Sequence, residues 1–378
     1  MKKKQKVSYS YFPDDLLYEI FPRLPAKSIG RFRCISKFWC QWLSSNDFIY
    51  KHINESKQNN EEQNLQILIF TEHYGLYELY LLPYYNHQDN KDIALDLNYP
   101  VRTFRTSKVW VLGSCNGIIC LMYPKTSLIC LWNPCTRDYK MLWNSEIIKR
   151  YEPWMFHTCG FGYNPVVNDY EILRIAYIFR DRHRYSIAYV YSLTKDSYRI
   201  IMKIPYQICH NSKSGQLVNG ALHWLGSHSG TIRWIDDDSE DEYRLVLAFD
   251  IGGEQFREVP QPDYGVDEGH KINISEFRGQ LCICCWYDEQ IDFWVMKEYN
   301  VRESWVKLFH VKHNACKNID YYIPLHYTKN GSTLFYMGDD LVIYDSITKA
   351  RVTYLTIGGH NRFIHGTTYM ESLVRLER

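Results

Sequence analysis

The alternation of apolar and polar positions changes character once along the chain, near residue 60. Before that point Leu16, Leu17, Ile20 and Phe21 recur at helical spacing. They follow Pro13-Asp14-Asp15, a proline and two carboxylates suited to the positive end of a helix. Leu24-Pro25 breaks that helix; a second short one carries Ile29 and Phe32, and a third carries Ile35, Trp39 and Leu43 and extends toward Phe48. The polar stretch from Glu55 to Gln63 has no apolar face and reads as a linker. From Leu65 onward the pattern becomes one of short strand-like runs divided by turn residues.

Those runs repeat weakly. Leu128–Trp132 followed by Tyr139–Leu142 is one copy, and Ile187–Tyr191 followed by Tyr198–Met202 is another. Leu245–Asp250 with Phe256–Val259, Ile291–Val295 with Trp305–Phe309, and Leu341–Asp345 with Arg351–Ile357 continue the series, while Leu76–Leu82 begins a degenerate copy. The period of roughly 50 residues is that of a four-stranded propeller blade. One such sheet cannot bury both faces alone, whereas radial packing buries them and leaves only short edges. The fold expected is therefore a small α-helical unit over 8–53, a linker over 54–63, and a large all-β domain over 64–378. That domain is read as a propeller-like ring of about six blades, with an irregular β-sandwich array as the competing reading. Phe363 to Leu376 is expected to pair near Leu65–Phe70 and close the ring.

Composition supports a mostly β chain: aromatics make up 16% of the residues, 32 of them Tyr, and flat rings favour pleated, half-buried surfaces. Charge excludes one class of partner. Residues 1–60 hold eleven Lys/Arg and five Asp/Glu, leaving 33 basic and 38 acidic residues in the remainder, so neither part has a nucleic-acid footprint. The lysine-rich start, Met1 to Lys6, reads as a solvated tail, with a weak nuclear-localisation patch as the competing reading. No apolar run reaches the ~18 residues of a membrane span, and the start lacks a signal peptide's apolar stretch. A cytoplasmic or nuclear setting is expected, with the twelve Cys as reduced thiols.

The segment Phe12-Pro13-Asp14-Asp15-Leu16-Leu17, continuing through Leu24-Pro25-Ala26-Lys27-Ser28-Ile29 and Arg31-Phe32-Arg33-Cys34-Ile35-Ser36-Lys37-Phe38-Trp39, closely resembles an F-box. It departs from the family pattern mildly, with Phe12 for the first Leu and Ile29 for the Leu after Lys-Ser, and both changes keep apolar bulk. Further pieces resemble the F-box-associated domain of a large plant family that includes F-box/kelch-type and pollen S-locus F-box proteins. They are Gly113 to Cys120, Leu131 to Arg137, Gly160 to Pro165 with Asp169-Tyr170, Val190 to Leu193, Gly220 to Trp224 and Tyr369 to Val374. They read as blade scaffolding: Asn116-Gly117 is hairpin-turn chemistry and Asn133-Pro134 ends a strand.

The resemblance implies a non-catalytic specificity subunit of an SCF-type ubiquitin ligase, in which a Skp-type adaptor joins the F-box to a cullin scaffold and the β domain holds a target protein. The residues themselves agree, because some forty helical residues carry more apolar side chains than short helices can hide. The opposing reading is a helical cap that merely packs on the β domain. Adaptor contact is expected from Phe12, Pro13, Leu16, Leu17, Ile20, Leu24, Pro25, Ile29, Phe32, Ile35 and Trp39. An F-box-bearing lectin or a ligase-independent scaffold is the alternative function. Among the family's roles, pollen self-incompatibility, with basic ribonucleases as targets, is the most specific.

Other signals weigh less. Gly160-Phe161-Gly162-Tyr163-Asn164-Pro165 lacks the third Gly and helix of a dinucleotide loop, so no cofactor is expected. Cys282, Cys284 and Cys285 lie on one strand without Cys-x-x-Cys spacing and read as small buried hydrophobes rather than zinc ligands. The fourteen His assemble into no catalytic set by spacing. The acidic run Asp236, Asp237, Asp238, Glu240, Asp241 and Glu242 is a solvated loop or a contact to a basic target, and Arg180 to Arg184 is a basic hairpin tip of the same ambiguity.

Overall fold

The computed structural model describes residues 13–58, 65–73, 76–83, 95–96, 108–142, 157–180, 183–209, 214–228, 244–264, 271–287, 290–312, 322–327, 332–337, 340–345, 350–355 and 363–376. It opens with α1 (Asp14–Ile20), a 3-10 turn (Phe21–Arg23), α2 (Ala26–Phe32), α3 (Lys37–Trp42) and α4 (Asn46–Gln58). Local chemistry sets these limits. The Pro13 carbonyl accepts from the Leu16 and Leu17 amides, and Leu24-Pro25 is extended between the 3-10 turn and α2. Ser36 Oγ accepts from the Trp39 amide at 3.3 Å and Ser45 Oγ from the Phe48 amide at 3.3 Å, each capping the helix that follows. Arg33 ties the end of α2 to that of α3, donating to the Leu43 carbonyl from Nε at 3.1 Å and Nη2 at 2.7 Å.

Three helices were expected and four are present among the described residues. Ile35 lies in the turn between α2 and α3, and Phe48 belongs to its own helix. That helix, α4, runs to Gln58, so the first part of the expected linker is helical; residues 59–63 lie outside those described. Phe48, Ile49, His52 and Ile53 give α4 a buried stripe, and Glu55, Ser56, Lys57 and Gln58 continue the helix without an apolar residue, Glu55 pairing with Arg23 at 3.5 Å.

Six four-stranded antiparallel units follow. The first contains β1 (Leu65–His73), β2 (Leu76–Pro83) and β3 (Leu95–Asp96). Blade two is β4 (Trp110–Cys115), β5 (Ile118–Tyr123), β6 (Leu128–Trp132) and β7 (Tyr139–Leu142). Blade three is β8 (His157–Asn164), β9 (Asp169–Arg180), β10 (His183–Ser192) and β11 (Ser197–Ile204). Blade four splits its inner strand into β12 (Tyr206–Ile208) and β13 (Gln216–Val218), both along one edge of β14 (Ala221–His228), then adds β15 (Leu245–Asp250) and β16 (Gln255–Val259). Blade five is β17 (Lys271–Phe277), β18 (Gln280–Trp286), β19 (Gln290–Met296) and β20 (Trp305–Lys312). Blade six is β21 (Tyr322–Tyr327), β22 (Ser332–Met337), β23 (Asp340–Asp345) and β24 (Ala350–Leu355). The last strand, β25 (Phe363–Met370), returns to blade one and pairs with β1 from Leu65↔Met370 to Thr71↔Phe363.

Innermost strands touch in a closed cycle: β25 lies against β4, β4 against β8, β8 against β13, β13 against β17, β17 against β21, and β21 against β25. The chain is a six-bladed β-propeller closed by the expected strand pair. The repeat copies read from the sequence fall on the third and fourth strands of blades two to six.

Buried layers lie between blades. On β5 all side chains are buried, but Ile118, Cys120 and Met122 face one layer while Ile119, Leu121 and Tyr123 face the next, as period-two geometry requires. Glycines permit the closest approaches. A Cβ on Gly160 would sit 2.6 Å from Leu222, and one on Gly162 would sit 2.4 Å from Ile251. The Gly160-to-Pro165 motif is therefore a blade-three strand pressed against blade four. Asn116-Gly117, Asn219-Gly220 and Arg278-Gly279 form two-residue hairpin turns with both φ values positive.

Candidate adaptor-docking surface

The helical unit sorts its apolar side chains into two sets. Inward, Phe21 stacks on Trp39 at 4.7 Å between ring centroids, and Phe32 and Trp42 pack beside it. Ile29, Leu43, Phe48, Ile49 and Ile53 are buried with them. Outward, Leu16, Tyr18 and Ile20 are exposed on α1, and Ile35 and Phe38 are each 63% exposed around the α2–α3 turn. Half-buried Leu17 on α1 and buried Phe21 just after it face inward, while Leu16 and Ile20 are exposed, two stripes one residue out of phase and each at i, i+4. Tyr18 reaches Phe38 through ring contacts, with centroids 4.6 Å apart to Trp42, 5.4 Å onward to Trp39 and 5.9 Å to Phe38.

Of the residues expected to contact an adaptor, Pro13, Leu16, Ile20, Pro25 and Ile35 are exposed. Leu17, Leu24, Phe32 and Trp39 are half-buried against the internal cluster, and Ile29 is fully buried, so Ile29 supports the surface from behind. Phe12 lies outside the described residues. Two exposed apolar residues, Tyr18 and Phe38, were missing from the expected set; a helical wheel places Tyr18 beside polar neighbours, and only the Trp42–Trp39 ridge joins it to Phe38.

The unit is seated on the propeller. Its core is continuous with Leu112, Cys115 and Ile118 of blade two, Phe161 and Tyr170 of blade three, and Leu373, Val374 and Leu376 after β25. Polar contacts hold the segment after β25 against blades one and two, and the Lys27–Glu371 pair ties the helices to that segment. Buried Asn133 donates from Nδ2 to the Val374 carbonyl at 2.7 Å, and Ser372 Oγ accepts from the Val374 amide at 3.3 Å and from Asn133 Nδ2 at 3.5 Å while donating to the Asn116 carbonyl. Lys27 Nζ meets Glu371 at 3.0 Å, and Gln66 Nε2 donates to the same carboxylate at 3.1 Å. His52, buried on α4, contacts the Leu24 carbonyl at 2.9 Å through Nε2; burial pulls its pKa down, so the ring is neutral at pH 7. A cavity of about 300 Å3 remains at this seam, lined by residues that include Leu24, Ala26, Lys27, His52, Gln66 and Glu371. A helical cap packed on the β domain was the opposing reading of these residues. The unit does pack there, and it still presents the exposed apolar set.

Elsewhere the weaker signals resolve as structure. Cys282 and Cys284 face blade six while Cys285 faces blade four, all buried, and burial pushes the Cys285 thiol well above its usual range. No group of three His, Cys, Asp or Glu suited to a metal ion occurs among the described residues. The acidic run from Asp236 to Glu242 lies outside the described residues, as do Asp181 and Arg182. The strands flanking them can be placed. β14 begins and β15 ends beside turns on the side where the helical unit sits, so His228 and Leu245 lie at the opposite face, as do Arg180 and His183.

Comparison with known proteins agrees with this architecture. The F-box domain model matches residues 10–51, and the model for the F-box associated beta propeller domain matches residues 57–375. F-box protein CPR1 of Arabidopsis thaliana is 31% identical over 344 residues, covering 84% of this chain and 77% of that protein. An F-box/kelch-repeat protein of the same plant is 26% identical over 306 residues, 79% of each chain. Helices that keep apolar side chains in water, seated on a six-bladed ring closed by its last strand, are thus the two halves of one known arrangement, and the chain belongs to the F-box proteins that carry an F-box associated beta propeller domain.

Proposed function

We propose that this chain is the substrate-recognition subunit of an SCF-type ubiquitin ligase. Its α1–α3 face docks a Skp-type adaptor and, through it, a cullin scaffold; the propeller holds a target protein. The observation that carries this reading is the concentration of exposed apolar side chains on the F-box, where Leu16, Tyr18, Ile20, Ile35 and Phe38 stay in water although a large apolar core lies beside them. The chain contributes proximity rather than chemistry: a target held on the propeller sees a raised effective concentration of the charged ubiquitin carrier. The face away from the F-box is assigned to the target. The sequence between His228 and Leu245 contains the acidic run, which suits a basic partner, and a pollen self-incompatibility target is the finest form of this assignment. A cytoplasmic or nuclear location follows from the same role.

The test uses Leu16→Ala/Ile20→Ala, a pair chosen because both side chains are exposed and their loss leaves the core intact. Truncating interface anchors costs ~1–4 kcal/mol each, so affinity for a purified Skp-type adaptor should fall about tenfold or more. Unchanged affinity in calorimetry, with an unchanged melting temperature, removes the basis of the proposal.

A further inference from the structure

The four-residue turn between β8 and β9, Pro165 to Asn168, carries two valines where turns ordinarily carry polar residues. Val166 is 74% exposed and Val167 56%. Both are held in place. Buried Asn164 accepts the Val166 amide at 3.0 Å and the Val167 amide at 3.4 Å on Oδ1, and its Nδ2 donates to the Ile251 carbonyl of blade four at 2.9 Å. At the other end Asn168 sits at φ 52° and accepts hydroxyl hydrogen bonds from Tyr163 and from Tyr50 of α4. The turn is thus fastened directly to the F-box.

The fastening point continues to the docking face. Lys51, next to Tyr50 on α4, donates from Nζ to the Tyr18 carbonyl at 3.1 Å and pairs with Glu19 at 3.6 Å. The path from α1 to the valines therefore runs through Tyr18, Lys51, Tyr50 and Asn168 without leaving the surface. An ordinary interface buries roughly 800 Å2 on each partner, a patch about 30 Å across, and an adaptor that covers Tyr18 and extends past Lys51 and Tyr50 meets the valines next. β-Branched side chains on a turn whose backbone amides are already hydrogen-bonded lose little freedom on being covered.

We propose that Val166 and Val167 are a second contact for the Skp-type adaptor, supplied by the propeller and continuous with the F-box face. This rests on the adaptor-docking reading above. The adaptor then binds the seated F-box more tightly than the helices alone would allow.

The experiment measures affinity of the full chain for a purified Skp-type adaptor. Val166→Asp/Val167→Asp should weaken binding about five- to twentyfold with the melting temperature unchanged, and Val166→Thr/Val167→Thr, nearly the same shape, should weaken it about two- to fivefold. Val301→Asp/Val306→Asp on blade five, where both side chains are exposed, should leave affinity as it is. Should the Asp pair fail to fold, the Thr pair decides alone. Wild-type affinity in the valine variants while Leu16→Ala/Ile20→Ala still weakens binding overturns the propeller contact and leaves the docking reading standing. No effect from either pair overturns both. If the valine variants alter only self-association in sedimentation, the turn meets a second copy of this chain and the proposal is wrong.

Discussion

At the scale of single residues, buried polar groups fasten blades that apolar contact alone would leave free to slide. His223 is the clearest case. Its ring is fully buried in β14, with Nδ1 3.1 Å from the Gln216 carbonyl and Nε2 2.7 Å from the Tyr299 hydroxyl. A neutral ring satisfies both, donating from Nδ1 and accepting on Nε2. Burial lowers its pKa from 6.5 to about 4. The unfolded chain therefore binds the extra proton first, so this group's contribution is whole above pH 6.5 and is lost as pH falls toward 4. At pH 5 the loss is about 2 kcal/mol. His223→Gln should flatten that part of the pH dependence in urea unfolding; a variant whose stability falls between pH 7 and pH 5 as steeply as wild type shows that His223 is not the group responsible. None of this was legible in the motif Gly220 to Trp224, because sequence shows a histidine between apolar neighbours and not which carbonyl and hydroxyl meet its ring.

Elements were legible in proportion to how strongly their pattern repeats. The third and fourth strands of the blades alternate and carry aromatics, so pairs such as Leu128–Trp132 with Tyr139–Leu142 could be read directly. The split inner strand of blade four could not, since Tyr206–Ile208 and Gln216–Val218 are each too short to show a period. The end of α4 was hidden for a different reason: its final turn has no apolar residue, and periodicity detects helices only through apolar residues. On the docking face the limit was burial. Ile29 and Ile35 are the same residue type within one motif, yet one is enclosed and the other 63% exposed, a difference decided by packing across the unit. The closing strand β25 was legible because a ring must close somewhere. Its removal is the test at this scale. A chain ending at residue 360 leaves β1 without its inner neighbour and β4 and β21 without theirs. It should fail to melt cooperatively and should aggregate; a soluble fragment with a single sharp transition would show that the ring is not a closed cooperative unit.

For the whole molecule, the seam between F-box and propeller makes one body of two domains that the sequence presents as separate. Leu373 and Val374 sit in the shared core, between the helices and blade two. Replacing both with Asp places charges in a buried apolar layer, a change expected to cost several kcal/mol and to open the seam while leaving the six blades closed by β25. The expected result is two thermal transitions in place of one, with the F-box segment becoming the first site of proteolytic cleavage. A single transition at the wild-type temperature would show that the seam contributes nothing.

Ring closure also has a consequence in time. Gln66 and Glu371 meet across 305 positions, so the segment that completes blade one leaves the ribosome roughly 15–60 s after the segment it must cover. Throughout that interval Leu65-Gln66-Ile67-Leu68-Ile69-Phe70 has an unpaired edge. Six residues without charge, proline or glycine and rich in β-forming side chains are the kind of segment that pairs with its copies on neighbouring nascent chains. A premature stop before residue 363 makes that exposure permanent. Such a product is an aggregation hazard as well as a loss of function, and the yield of intact protein should rise when synthesis is sparse enough to keep nascent chains apart.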